Sequence, residues 1–287
     1  MAVIFTDIRI IITVVVCLAA IITFAAIGMY IKIRNQNRGY RLAEGLYVDI
    51  GNAQIIGTRE KQDDSFATSI QDYGVMGIVA DGIGGYINGN LASQIAVETY
   101  LDEFEKRDVT NNLNYYFQKT AVLANERIRD EFGEAKGGTT VVAVVLIEDK
   151  MYWTSVGDSN IAVFRNGRII EVNRKENVKN WLEDQYRAGA IGKEEALGSP
   201  MDKRLVNYVG YDGFKKADES DRPIFLKKKD KVLIYSDGVE TLSQIELENI
   251  LGKRKNAQDL ADEIMQAIEE KKVRSKDNST IIILSLK

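Results

Sequence analysis

The chain has 287 residues, 42 acidic against 38 basic side chains for a net charge of −4, a single cysteine and no histidine. Without histidine, Ser-His-Asp and Cys-His catalysis, HExxH sites and imidazole ligands are excluded, so any metal must be held by oxygen. One cysteine excludes internal disulfides and CxxC motifs, and the mildly acidic balance lacks the clustered basic surplus that nucleic-acid binding requires, so no nucleic-acid partner is expected.

Residues 10–31 carry no charge, and at ~1.5 Å rise per residue such a run spans the roughly 30 Å hydrocarbon layer. It exceeds a signal-peptide apolar core and no small-x-small cleavage site follows. The sequence therefore predicts a retained transmembrane helix within an N-terminal segment, residues 1–34. Lys32, Arg34, Arg38 and Arg41 crowd its C-terminal side, whereas Asp7 and Arg9 nearly cancel on the other. The positive-inside rule then gives a single-pass cell-membrane protein whose bulk is cytoplasmic, with the lipid bilayer as a partner.

A polar linker over residues 35–45 leads to one domain, residues 46–287, beginning with a strand near Leu46. Gly77-Ile78-Val79-Ala80 reads as a buried strand stopping on Asp81-Gly82. Residues 92–106 read as a helix, and Leu113, Phe117, Ala121, Ala124 and Ile128 recur at the spacing of a second one. Residues 139–147 and 151–156 are rich in Val, Thr, Tyr and Trp and form a hairpin; residues 161–165 and 168–172 form another around Asn166-Gly167. Residues 177–196 read as helical but polar, a satellite insertion with no apolar stripe. Val232 to Ser236 is a second buried strand, stopping on Asp237-Gly238. A helix marked by Leu260, Ile264, Ala267 and Ile268 and a strand over residues 280–286 complete an α+β sheet sandwich with helices outside.

Further aspartates adjoin strand ends: Asp64 after Arg59-Glu60-Lys61-Gln62-Asp63, Asp158 in Val156-Gly157-Asp158-Ser159, and Asp277 in Asp277-Asn278-Ser279-Thr280. Taken singly, each is an ordinary turn former. Together, carboxylates on strand tips suit hard divalent cations that activate water for attack on phosphorus. Gly84 and Gly85 fit neither a P-loop nor a dinucleotide fingerprint and read as room for tight turns.

In order, TREKQDDS, VADGIGG, GGTT, VGDS, YSDG and KDNST resemble the signature of the metal-dependent serine/threonine protein phosphatases of the protein phosphatase 2C type. The resemblance runs from Gly57 to Lys287 and implies a four-layer αββα fold. It also implies two Mn²⁺ or Mg²⁺ ions per site, bound by Asp64, Asp81, the Gly82 carbonyl, Asp237 and Asp277. Arg59 would bind phosphate, with a surface salt bridge as its alternative; Asp158 would help hold a weaker third ion. The Gly137-Gly138-Thr139-Thr140 run starts a strand in this family and is structural. Residues 174–222 resemble the flap of bacterial members. The implied partners are phosphoserine and phosphothreonine proteins, with a cognate membrane kinase and its substrates.

The chain departs from the pattern in three places. Asp63 stands where the family usually has Glu or Gln, which opens its water-mediated contact to metal to question. Ile83 replaces the histidine of animal members, removing the obvious side-chain acid and leaving metal-bound water to protonate the leaving group. Asn173 to Asn177 replaces the Thr-x-Asp-His-Ser stretch of the flap. Two other functions fit the same residues: a phosphoprotein-binding module without turnover, and a phosphatase of small molecules.

Overall fold

Nearly continuous Val and Ile runs, such as Val141-Val142-Ala143-Val144-Val145 and Ile281-Ile282-Ile283, can be buried on both faces only if something covers each side of a sheet. The computed structural model, describing residues 39–83, 88–106, 108–133, 137–196 and 201–287, shows what does so. In chain order the elements are β1 (Tyr40–Ala43), β2 (Leu46–Ile55), β3 (Asp64–Gln71), β4 (Gly74–Asp81), α1 (Gly89–Glu105), α2 (Leu113–Phe132), β5 (Val141–Ile147), β6 (Lys150–Val156), β7 (Asn160–Arg165) and β8 (Arg168–Glu171). There follow α3 (Val178–Arg187), α4 (Lys193–Ala196), β9 (Asp218–Glu219), β10 (Ile224–Phe225), β11 (Lys231–Tyr235), a 3-10 turn (Asp237–Thr241), α5 (Gln244–Leu251), α6 (Ala257–Glu270) and β12 (Ser279–Leu286).

One sheet has the order β1-β2-β12-β11-β7-β8, the other β10-β6-β5-β4-β3 with β9 beside β6. Every ladder from β2 to β12 is antiparallel. Successive residues of a strand point to opposite faces. Ile282 and Leu284 accordingly meet Val79, Val142 and Val144 between the sheets, while Ile281 and Ile283 pack outward against Leu260, Ile264 and Ile268 of α6. On the other outer face, Met76, Ile78 and Val145 lie under Tyr100 and Phe104 of α1 and Phe117 and Ile128 of α2. The layers are helix, sheet, sheet, helix, as the resemblance implied.

Residues 41–287 form one compact unit. The stretch expected to be linker is corrected at its end: Tyr40–Ala43 pairs with β2 as an edge strand. α5 escaped the periodicity reading because it is short, although its start carries a capping box between Ser243 and Glu246. Residues 10–31, expected to span a membrane, lie outside the described residues, as do Gly84 and Gly85; among the described residues no helix is long and apolar enough to cross a membrane.

Candidate active site

Antiparallel register sets Asp64, the first residue of β3, directly opposite Asp81, the last of β4. The other sheet supplies Asp237, just after β11, and Asp277, just before β12, and these two strands are themselves paired. Asp81, Asp158, Asp237 and Asp277 line one cleft of about 670 Å³. The structure thus gathers at one end of the sandwich the carboxylates that the sequence scattered over more than two hundred positions.

Asp64 is 3% exposed. Its Oδ2 accepts hydrogen bonds from Ser236 Oγ at 2.7 Å and Thr280 Oγ1 at 2.7 Å, and Ser236 Oγ accepts in turn from the Thr280 amide at 3.0 Å. Its Oδ1 is buried with no partner. Burial pushes Asp64 up to about 6 against the pull of the two hydroxyls, with the charges of Asp237 and Asp277 adding to the rise. Burial and then Asp64 itself push Asp81 well above the usual carboxylate range. Burial and Asp237 push Asp158 up to about 6; burial and Asp277 raise Asp237. A desolvated group of like charges is costly unless a counter-charge joins it. An unpartnered carboxylate oxygen beside an all-oxygen donor set fits a hard divalent cation.

The backbone around this floor is clamped. The Asp81 carbonyl accepts from Thr139 Oγ1 at 2.9 Å and the Thr140 amide at 2.8 Å, and the Asp81 amide donates to Thr140 Oγ1 at 3.1 Å. The Gly-Gly-Thr-Thr run is therefore structural, as expected. Gly82 is buried, its amide donates to the Asp63 carbonyl at 3.1 Å, and a Cβ there would overlap the Gly89 backbone. Asp63 is engaged through its backbone: its amide donates to Asn278 Oδ1 at 2.8 Å and its carbonyl also accepts from Ser93 Oγ at 2.6 Å. Ile83 lines the cleft.

Arg59 Nη2 bonds Asp277 Oδ2 at 2.6 Å, with both side chains about half exposed (49% and 40%). That bond raises the Arg59 pKa, helped by the charges of Asp81 and Asp237, and because Asp277 lines the cleft it also brings the guanidinium to the cleft's edge. The salt-bridge alternative is thus realised, with a candidate ligand as its partner. Among the described residues no three acidic side chains close into a finished ligand cage, in keeping with Asp277 being drawn to Arg59.

Four contributors were not visible in the sequence. Ser236 and Thr280 orient Asp64, and buried strand hydroxyls needing partners were the available signal. Asn278 joins two ends of the chain, its Nδ2 donating to the Ile56 and Lys61 carbonyls at 2.9 and 3.0 Å. Glu176 accepts from the Gly157 amide at 2.9 Å and from Asn207 Nδ2 at 3.0 and 3.1 Å, tying the turn before Asp158 to the flap.

Residues 50–278 match the protein phosphatase 2C family. The chain belongs to this family. It is a phosphoprotein phosphatase of the serine/threonine type, with relatives among bacterial enzymes. The phosphatase is 32% identical over 183 residues to a Streptococcus pyogenes protein named as protein phosphatase 2C-type, covering 62% of this chain and 72% of that one. It is 26% identical over 215 residues to the serine/threonine phosphatase stp of Listeria monocytogenes, covering 72% and 82%. Its fold superposes on the Streptococcus agalactiae serine/threonine phosphatase with a TM-score of 0.74 at 23% identity, over 83% of this chain and 99% of that one. It also superposes on the catalytic domain of PstP, solved with two manganese ions, with a TM-score of 0.67 at 18% identity, over 84% and 99%.

Proposed function

We propose that this phosphatase removes phosphate from phosphoserine and phosphothreonine in proteins at a centre for two Mn²⁺ or Mg²⁺ ions. The residues that would hold them are Asp64, Asp81, the Gly82 carbonyl, Asp237 and Asp277, with Asp158 toward a weaker third. The observation that carries this reading is Asp64: one oxygen fixed by two hydroxyls, the other buried, unpartnered and beside further carboxylates. Bound there, such ions supply Lewis acidity toward the phosphoryl oxygens and lower the pKa of water.

The chain's own groups do the rest. Ser236 and Thr280 hold Asp64 in one rotamer, and Thr139 and Thr140 hold the tip of β4, so the floor is set before substrate arrives. Arg59 presents a planar fork that matches a phosphate dianion and shares its charge with Asp277 in the meantime. Ile83 offers no proton, and with no histidine in the chain the leaving alkoxide takes its proton from water.

Membrane anchoring through residues 10–31, a cytoplasmic catalytic domain and a cognate membrane kinase belong to the same proposal, supported by the uncharged run and its basic C-terminal flank. In the test, the purified full chain is given a phosphoserine peptide with manganese, and Asp237→Asn abolishes phosphate release. Full activity in that variant would overturn the metal centre, and recovery of the intact chain in a washed soluble fraction would overturn the anchor.

A further inference from the structure

Lys203 and Arg204 face the cleft whose floor carries Asp81, Asp158 and Asp237. What separates them from their neighbours in the flap is pairing. Arg174 is matched by Glu183 and Asp184, Arg187 by Glu183 and Lys175 by Glu240. Among the described residues, neither Lys203 nor Arg204 lies within salt-bridge distance of a carboxylate; the Arg204 guanidinium contacts the Met201 sulfur at 3.9 Å. Asp202 lines the neighbouring cleft, which Lys203 also borders, whereas Arg204 lines only the cleft over the acidic floor.

The backbone on either side of Lys203 is also held in place. The first-turn amides of α3 at Val178 and Lys179 donate to the carbonyls of Arg204 and Asp202 at 2.8 and 3.1 Å, and the Val206 amide donates to the Glu176 carbonyl at 3.0 Å. The backbone that carries the pair is therefore fastened to a helix start and, through Glu176, to the turn before Asp158. Lys203 is close enough to Asp237 to favour its charged form.

A phosphorylated residue whose phosphate reaches the acidic floor must lay its flanking residues along this wall. Exposed cations there, with no carboxylate within salt-bridge distance among the described residues, favour an anionic flank and disfavour a cationic one. Resting on the phosphatase reading above, we propose that Lys203 and Arg204 select phosphoproteins in which acidic residues flank the phosphorylated one.

The test compares phosphothreonine peptides of one length whose flanks are glutamate, glutamine or lysine, using the full chain with manganese. The expected kcat/KM falls in that order by roughly three- to tenfold per step at low salt, carried by KM and compressed as ionic strength rises. Lys203→Glu/Arg204→Glu reverses the order. Equal kcat/KM across the three peptides, or an order that survives the charge reversal, overturns the proposal. Binding of the same peptides, read by fluorescence anisotropy without turnover, separates this inference from the reading beneath it. A glutamate preference in binding with no phosphate release sustains the selection and defeats the phosphatase reading, whereas release without any flank preference does the opposite.

Discussion

The floor of the cleft and its flap wall are built under opposite physical regimes. Asp64 and Asp81 sit on tips of strands whose side chains fill the core, and buried hydroxyls and amides fix their groups to within a hydrogen bond. α3 and α4 bury no residue, and Trp181, Tyr186 and Met201 stand about half exposed. Charges on the floor act in a poorly solvated setting where position decides everything; those on the flap are screened by water and salt. Chemistry therefore belongs to the sandwich, and graded, salt-sensitive preference to the insertion.

The contrast breaks most severely at Gly238, where an added Cβ would overlap the Asn278 carbonyl and crowd Ser279 Oγ at 2.5 Å. Gly238→Ala is expected to cost about 3 kcal/mol or more, read as a fall in the urea midpoint together with lost activity. A smaller blow is Thr280→Val, which leaves Asp64 Oδ2 with the Ser236 hydroxyl alone. Chemical denaturation should show a loss of about 1–3 kcal/mol, and the pKa of Asp64 should climb further.

A third test uses pH. Asp64 and Asp158 titrate at about 6 when folded, above the ordinary 3.8, so between those values the folded chain binds more protons than the unfolded one. Their contribution to stability is thus greatest at low pH and is lost as pH rises through about 6. In chelator, the melting temperature relative to an Asp64→Asn/Asp158→Asn variant should fall from about pH 4 to about pH 7, and added manganese should restore more at the higher pH. No dependence of that difference on pH would remove the electrostatic account of the floor. The smallest effect is expected at Trp181→Ala on the flap, within about 0.5 kcal/mol of wild type by thermal melting; a larger loss would show the flap to be part of the core.

Strand tips were legible because a buried run that ends in Asp-Gly announces both the burial and the exit, and Asp81 and Asp237 were found that way. Asp64 and Asp277 needed the ordered motifs, since an aspartate in a polar stretch looks like any turn. Ser236, Thr280 and Asn278 were hidden because their partners lie 172 to 222 positions away, and pattern spacing says nothing about distant pairing. Glu176 was hidden by its own environment: in a flap with no apolar stripe, nothing local distinguishes a carboxylate that accepts two amide donors from a solvated one.

Asn278 and Thr280 reach back to Lys61 and Asp64, Arg59 pairs with Asp277, and β2 is hydrogen-bonded to β12 along its length. Every one of these contacts spans more than two hundred residues or nearly the whole domain, so closing them is a late and slow event in folding. As the chain leaves the ribosome, β3 and β4 can pair early while Asp64 still lacks Thr280 and Arg59 still lacks Asp277. The acidic floor is assembled only when β12 docks, so a nascent chain carries no phosphatase activity until its last strand has been made.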